Sequence, residues 1–160
     1  MTRTIKFTFL LVVGLLISCG GKGEKKERKS SIGSKPKVEK KTAASKRITL
    51  DNKGVGEIKN VELSAIIDNS MVKRGASLFK SNCTACHKTD KRFIGPNPTG
   101  ILERRSPEWI MNMILDPQLM TEEDQCAMDL LVEFNGAAMA NQNLTKDQAR
   151  DILEYFRTLK

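Results

Sequence analysis

Two thiols and an imidazole stand within five residues of one another in Cys83-Thr84-Ala85-Cys86-His87. This C-x-x-C-H spacing is the one through which a polypeptide fixes a haem covalently. On one helical turn each thiol can add to a vinyl group of the same porphyrin, and the next residue, His87, then sits beneath the metal as its proximal ligand. Two other chemistries use the same groups. A thioredoxin-like dithiol expects a βαβ setting, whereas the residues around Cys83 read as helix and loop. A zinc site would need Cys126 to join Cys83, Cys86 and His87 as a Cys₃His set. Haem attachment asks nothing further of the chain and is the reading the spacing favours.

His87 is the only histidine. Bis-histidine ligation of an iron is therefore impossible, and so is a distal histidine acting as acid and base. A thioether is the usual sixth ligand in electron-carrying sites, where it favours reduced iron and raises the potential. Seven methionines are present. Met111, Met113 and Met128 lie in stretches of helical apolar spacing and read as core filler, and Met71 sits at a helix start. Met139 follows the helix-stop pair Asn135-Gly136 and precedes Asn141-Gln142-Asn143, which places it on a loop able to wrap over the open face of a haem. It is the expected iron ligand opposite His87, and Met120, just ahead of the helix start read at Thr121, is its rival.

The N-terminus reads as a lipoprotein signal over residues 1–18. Arg3 and Lys6 form a positive start, Phe7 to Ile17 a short apolar core, and Leu16-Ile17-Ser18-Cys19 a lipobox with Cys19 as the acylated first mature residue. The apolar run is too short for an ordinary membrane span. The expected location is a bacterial cell membrane, with the protein held by lipid and facing the periplasm or cell exterior. Of the four cysteines, one then carries lipid and two carry haem. Cys126 is left as a small buried apolar residue beside Leu130, or as a reactive thiol.

A formal charge of +8 would suggest a nucleic-acid partner were it spread over the whole chain. Residues 20–47, however, hold eleven Lys or Arg against three Glu, while residues 48–160 hold fourteen basic against sixteen acidic residues. The basicity belongs to a segment of residues 19–47 too poor in apolar residues to offset chain entropy, read as a lipid-anchored disordered tether. As a flexible coil it spans about 30 Å. No nucleic acid is expected as partner.

Residues 48–69 carry Ile48, Leu50, Val55, Ile58, Val61, Leu63, Ile66 and Ile67 with Gly54 and Gly56 among them, and read as an irregular segment packed on the domain that follows. From residue 70 to 160 the pattern is helical. One helix is expected from Val72 to about Ala85. A second begins with Ser106 as N-cap and Pro107 at its first position and breaks at Asp116-Pro117; a third runs from Thr121 to Phe134. Thr145 and Gln148 form a capping box for the last, whose Ala149, Ile152, Leu153 and Phe156 share one face. The fold class is all-α.

Residues 71–160 resemble a class I, mono-haem cytochrome c domain. The resemblance rests on Gly75 and Phe79 ahead of Cys83-x-x-Cys86-His87, on Gly95-Pro96, on Met139, and on Ile152 with Tyr155 in the terminal helix. It implies one covalent haem c, a crossing of first and last helices at Gly75 and Phe79 against Ile152 and Tyr155, and a Pro96 carbonyl that accepts a hydrogen bond from His87 and so orients it. It also makes Trp109 a candidate donor to a haem propionate, with core packing as the alternative, and Arg104 and Arg105 candidate propionate partners, with a solvated surface as theirs. Pro98 stands where the family often has leucine, and Ala140 where proline is common. The stretches Ile94 to Gly100 and Arg105 to Ile114 are similar to lipoprotein cytochromes found beside nitrous oxide reductase. The implied role is transfer of single electrons between respiratory partners such as a quinol-oxidising complex and a terminal reductase or oxidase, nitrous oxide reductase among them, without enzymatic activity. A haem sensor or haem enzyme, needing an open or displaceable sixth site, is the alternative.

Overall fold

The computed structural model describes residues 42–160. The expected signal segment, Cys19 and the tether up to residue 41 lie outside them. Five helices carry the fold, α1 (Asn69–Asn82), α2 (Pro107–Leu115), α3 (Pro117–Glu123), α4 (Gln125–Glu133) and α5 (Lys146–Phe156), with 3₁₀ turns at Ala44–Lys46 and Ile101–Glu103. No strand occurs among the described residues; Thr49 and Arg105 form one isolated parallel bridge.

Capping residues set most of these boundaries. The Asp68 carboxylate accepts from the N–H groups of Ser70 and Met71, which starts α1 three residues before Val72. Ser106 caps α2 with Pro107 at its first position, and Asp116 ends α2 while its side chain caps α3. The single helix expected over Thr121 to Phe134 is in fact two. Asp124 interrupts it, because its carboxylate is committed to the N–H of Ala127 at 2.8 Å and so acts as the N-cap of α4. The capping box of α5 is present, Thr145 Oγ1 accepting from Gln148 N while Gln148 Oε1 accepts from Thr145 N.

The first and last helices cross at a point where no side chain fits. A Cβ built on Gly75 would stand 2.0 Å from the Asp151 carbonyl oxygen, so any larger residue must force α1 and α5 apart. One turn on, Phe79 packs edge-on against Phe156 and tilted against Tyr155, both ring pairs at 5.6 Å. Ala149, Ile152 and Leu153 are wholly buried beneath them. Glu154 is also buried, and its carboxylate accepts from Arg150, Arg157 and the N–H of Asp68, joining α5 to the cap of α1. Burial pushes its pKa up, but these donors outweigh that effect and leave it below the usual carboxylate value.

Residues 48–68 form no helix or strand and lie along α2 and α3. Asn112, buried in α2, holds them. Its Nδ2 donates to the carbonyls of Lys53 and Ile58, and its Oδ1 accepts from Ile58 N.

The final residues of the expected tether do not behave as tether. Ala44 is 5 % exposed, and Arg105 donates to the carbonyls of Ala44 and Arg47. Ser45 and Arg47 bond to Glu133 and Asp129 of α4. Composition gave no sign of this docking, because it rests on backbone carbonyls, one alanine methyl and polar bonds to distant acids rather than on an apolar stretch.

Candidate cofactor site

Past Asn82 the chain makes one further turn, in which the Cys83 carbonyl accepts from Cys86 N at 3.1 Å and from His87 N at 2.8 Å. That turn brings the thiols and the imidazole to one cavity, part of it open to solvent, with Cys83, Cys86 and His87 all in its wall. Burial pushes the Cys83 thiol up to about 11, with the neighbouring Cys86 adding to the effect. The motif also closes a helix in a domain with no strand among its described residues, which is not the βαβ setting that a thioredoxin-like dithiol expects. Cys126 does not join the motif. It is buried in α4, burial raises its pKa, and among the described residues no three His, Cys, Asp or Glu side chains gather as a metal would need. Cys126 therefore packs as a small apolar residue of the core.

The imidazole is fixed from behind. His87 Nδ1 lies 2.8 Å from the Pro96 carbonyl, which can only accept, so the ring proton is on Nδ1 and the Nε2 lone pair is free for a metal. Gly95 permits this closeness, since a Cβ there would meet His87 Cε1 at 2.6 Å. Gly95 N in turn donates to the Cys86 carbonyl, binding the loop to the motif.

Met139 lines the same cavity from the loop after α4. Asn135 and Gly136 end that helix at φ 58° and 75°, and Met139 is half-buried between exposed Ala138 and Ala140. Met120, the rival, is completely buried inside α3, and its sulfur accepts a hydrogen bond from Val55 N at 3.2 Å. That sulfur is engaged elsewhere. Sequence reasoning missed Met113, which also lines the cavity; the helical spacing that marked it as core filler gives no sign that this face of α2 turns toward the site. Met128 is 39 % exposed and so is not core filler either.

Of the three residues expected near a propionate, Trp109 and Arg104 are hydrogen-bonded within the protein, and Arg105 is so through its Nη groups. The indole N–H of Trp109 donates to Asp124 Oδ1 at 3.0 Å, and the ring is buried; it borders the cavity as core, not as a propionate donor. Arg104 donates to the carbonyls of Gly100, Thr99 and Asn97 and so shapes the loop after Pro96. Arg105 is 3 % exposed rather than a solvated surface residue; its Nη groups hold the carbonyls of residues 44, 47 and 104, while its buried Nε has no protein partner. Pro98 is buried in the cavity wall.

Phe79, Ile101, Ile110, Ile114, Leu130 and Phe156 complete a predominantly apolar wall. The donor set suits a haem: two thiols at attachment spacing, an imidazole with its outer nitrogen free, and a glycine cradle that the imidazole itself fills.

The comparisons agree with that chemistry. A family model described as Cytochrome c matches residues 72–160. A solved structure of cytochrome c from Rhodothermus marinus is similar at 36 % identity and a TM-score of 0.63, over 73 % of this chain and 93 % of that one. An engineered cytochrome c from the same organism, Rma TDE, matches at 36 % identity and 0.63, over 73 % of this chain and 94 % of its own. The same engineered protein bound to a carbene intermediate matches at 36 % identity and 0.61 over the same shares.

Proposed function

The chain belongs to the cytochrome c family, a family of haem-binding electron-transfer proteins, and we propose that it is a one-electron carrier with haem iron held between His87 and Met139 and with a lipid anchor on Cys19. The observation that carries the reading is that one cavity receives Cys83, Cys86 and His87 from the end of α1 and Met139 from the loop after α4, while the competing sulfur of Met120 is engaged by Val55.

When bound, the haem supplies an iron that alternates between ferric and ferrous states. The chain's own groups do the rest. Cys83 and Cys86 give their sulfurs to thioethers, and His87 presents Nε2 while Pro96 holds Nδ1–H. The Met139 thioether favours the reduced state, and the predominantly apolar wall limits solvent access to the iron, which tunes its potential. A catalytic or sensing role would need the sixth position open, and with His87 as the sole histidine the chain has no second imidazole to act there as acid or base. The partners proposed are a quinol-oxidising complex as donor and a terminal reductase or oxidase as acceptor, nitrous oxide reductase being one such acceptor.

No helix among the described residues is long and apolar enough to cross a membrane; in this reading the lipobox Leu16-Ile17-Ser18-Cys19 supplies the attachment. Two measurements test the proposal. Reductive titration of the purified holoprotein should consume one electron per chain and reverse fully with a one-electron oxidant; irreversible turnover or loss of haem would count against a carrier. Cys19→Ala should move the haem-loaded protein from the membrane to the aqueous fraction, and retention after a high-salt wash would defeat the anchor.

A further inference from the structure

The loop bearing Met139 has few fastenings of its own. Between the root at Phe134–Gly136 and the cap of α5 at Thr145, its one hydrogen bond to a distant part of the chain among the described residues is Asn141 Nδ2 to the Leu115 carbonyl, and Ala137, Ala138 and Ala140 are exposed. Its position over the cavity therefore depends on how firmly the root is held.

Three separate segments meet at that root. The Glu133 carboxylate, 16 % exposed, accepts from Ser45 N at 2.8 Å, from Ser45 Oγ at 2.6 Å and from Arg92 Nη1 at 3.0 Å. Arg92 also donates through Nη2 to the Glu133 carbonyl at 2.6 Å and lies over the Phe134 ring at 4.0 Å. Arg92 stands five residues after His87, Phe134 and Ser45 both line the cavity, and Ser45 belongs to the docked segment that Arg105 grips. Residues 43–47 lie outside the family-matched part of the chain, residues 72–160.

We propose that Glu133, Arg92 and Ser45 form a latch that joins the loop on the His87 side of the cavity to the root of the loop on the Met139 side, and that this latch sets how readily the Met139 loop lifts from the haem. Glu133 and Arg92 are positioning residues. They touch neither sulfur nor iron, and act by holding the peptide from which the loop departs. The inference rests on Met139 as sixth ligand. Opening the latch frees the root at Phe134 and raises the fraction of time in which the sixth position is accessible, without altering the ligand itself.

The test uses ferric holoprotein, with cyanide as the probe and hydrogen exchange at residues 137–141 as a readout independent of ligation. Arg92 is half exposed, so Arg92→Ala should fold normally, and it should raise the cyanide association rate about tenfold, the scale of losing charge-assisted hydrogen bonds at a partly exposed site. Glu133→Ala should do the same, and Glu133→Gln, which keeps an acceptor for Ser45, should fall between it and the wild type. All three should show faster exchange over residues 137–141. Arg74→Ala breaks an ion pair between α1 and α5 that touches neither loop, and should leave rate and loop exchange unchanged even where it lowers stability. Rates and exchange within twofold of wild type in Arg92→Ala and Glu133→Ala would overturn the latch, as would an equal rise in Arg74→Ala. A wild-type spectrum without sulfur ligation would instead overturn the Met139 reading, and the exchange data would still decide the latch.

Discussion

Cys83→Ser combined with Cys86→Ser is expected to abolish covalent haem completely, so that no haem stain follows the polypeptide through denaturing electrophoresis. The remaining thiols cannot substitute. Cys126 is buried in α4 and absent from the cavity wall, and Cys19 lies far outside the motif spacing. The double variant should also fold poorly. Its helices close around a cavity walled by Phe79, Ile110, Ile114, Leu130 and Phe156, and a helical domain of about ninety residues has little surplus core from which to cover those side chains against water. Far-ultraviolet circular dichroism should show the loss of helix alongside the loss of stain. Persistent stain at the molecular weight of the chain would refute the attachment site outright.

Met139→Ala should lower the reduction potential by on the order of 0.1–0.3 V, a fraction of the roughly 0.8 V range that axial ligation spans, since the thioether that favours ferrous iron is lost. The variant should also bind carbon monoxide when ferrous and cyanide when ferric, both rapidly and stoichiometrically. Met120→Ala provides the contrast. Its side chain is wholly buried and its sulfur accepts from Val55, so truncation should cost stability, about 2–5 kcal/mol, while leaving potential and ligand binding near wild type. Met113→Leu should resemble wild type as well, because leucine fills a similar volume on the same cavity wall. A normal potential in Met139→Ala together with a collapsed one in Met113→Leu would move the sixth ligand from the loop to α2.

Much of this architecture was legible in the sequence because local chemistry specified it. Ser106-Pro107 and Thr145-x-x-Gln148 place helix starts by satisfying N–H groups within a few residues, and both appear where those signals put them. The spacing of Cys83, Cys86 and His87 was likewise a local instruction. What was missed depended on distant partners. Asp124 reads as one more acid in the first turn of a helix, and only its simultaneous hold on Ala127 and on the Trp109 indole makes it a break between two helices. That same bond is why Trp109 is unavailable to a propionate. Asp68 was hidden in an irregular stretch although it caps α1. The docking of residues 43–47 depends on Arg105, Asp129 and Glu133, all more than fifty residues away, and a lysine-rich composition carries no trace of them.

The most direct test of the account is the absorption spectrum of the purified wild-type protein in both oxidation states, with carbon monoxide added to the reduced form. The structure places two attachment thiols, a His87 held by Pro96 and a Met139 loop around one cavity. A low-spin spectrum of thioether-bonded haem is therefore expected, with a sulfur-to-iron charge-transfer band in the ferric state and little reaction of the ferrous state with carbon monoxide. Rapid stoichiometric carbon monoxide binding by the wild type, with no sulfur-to-iron band in the ferric form, would contradict the His87–Met139 electron carrier and favour a sensor or catalyst.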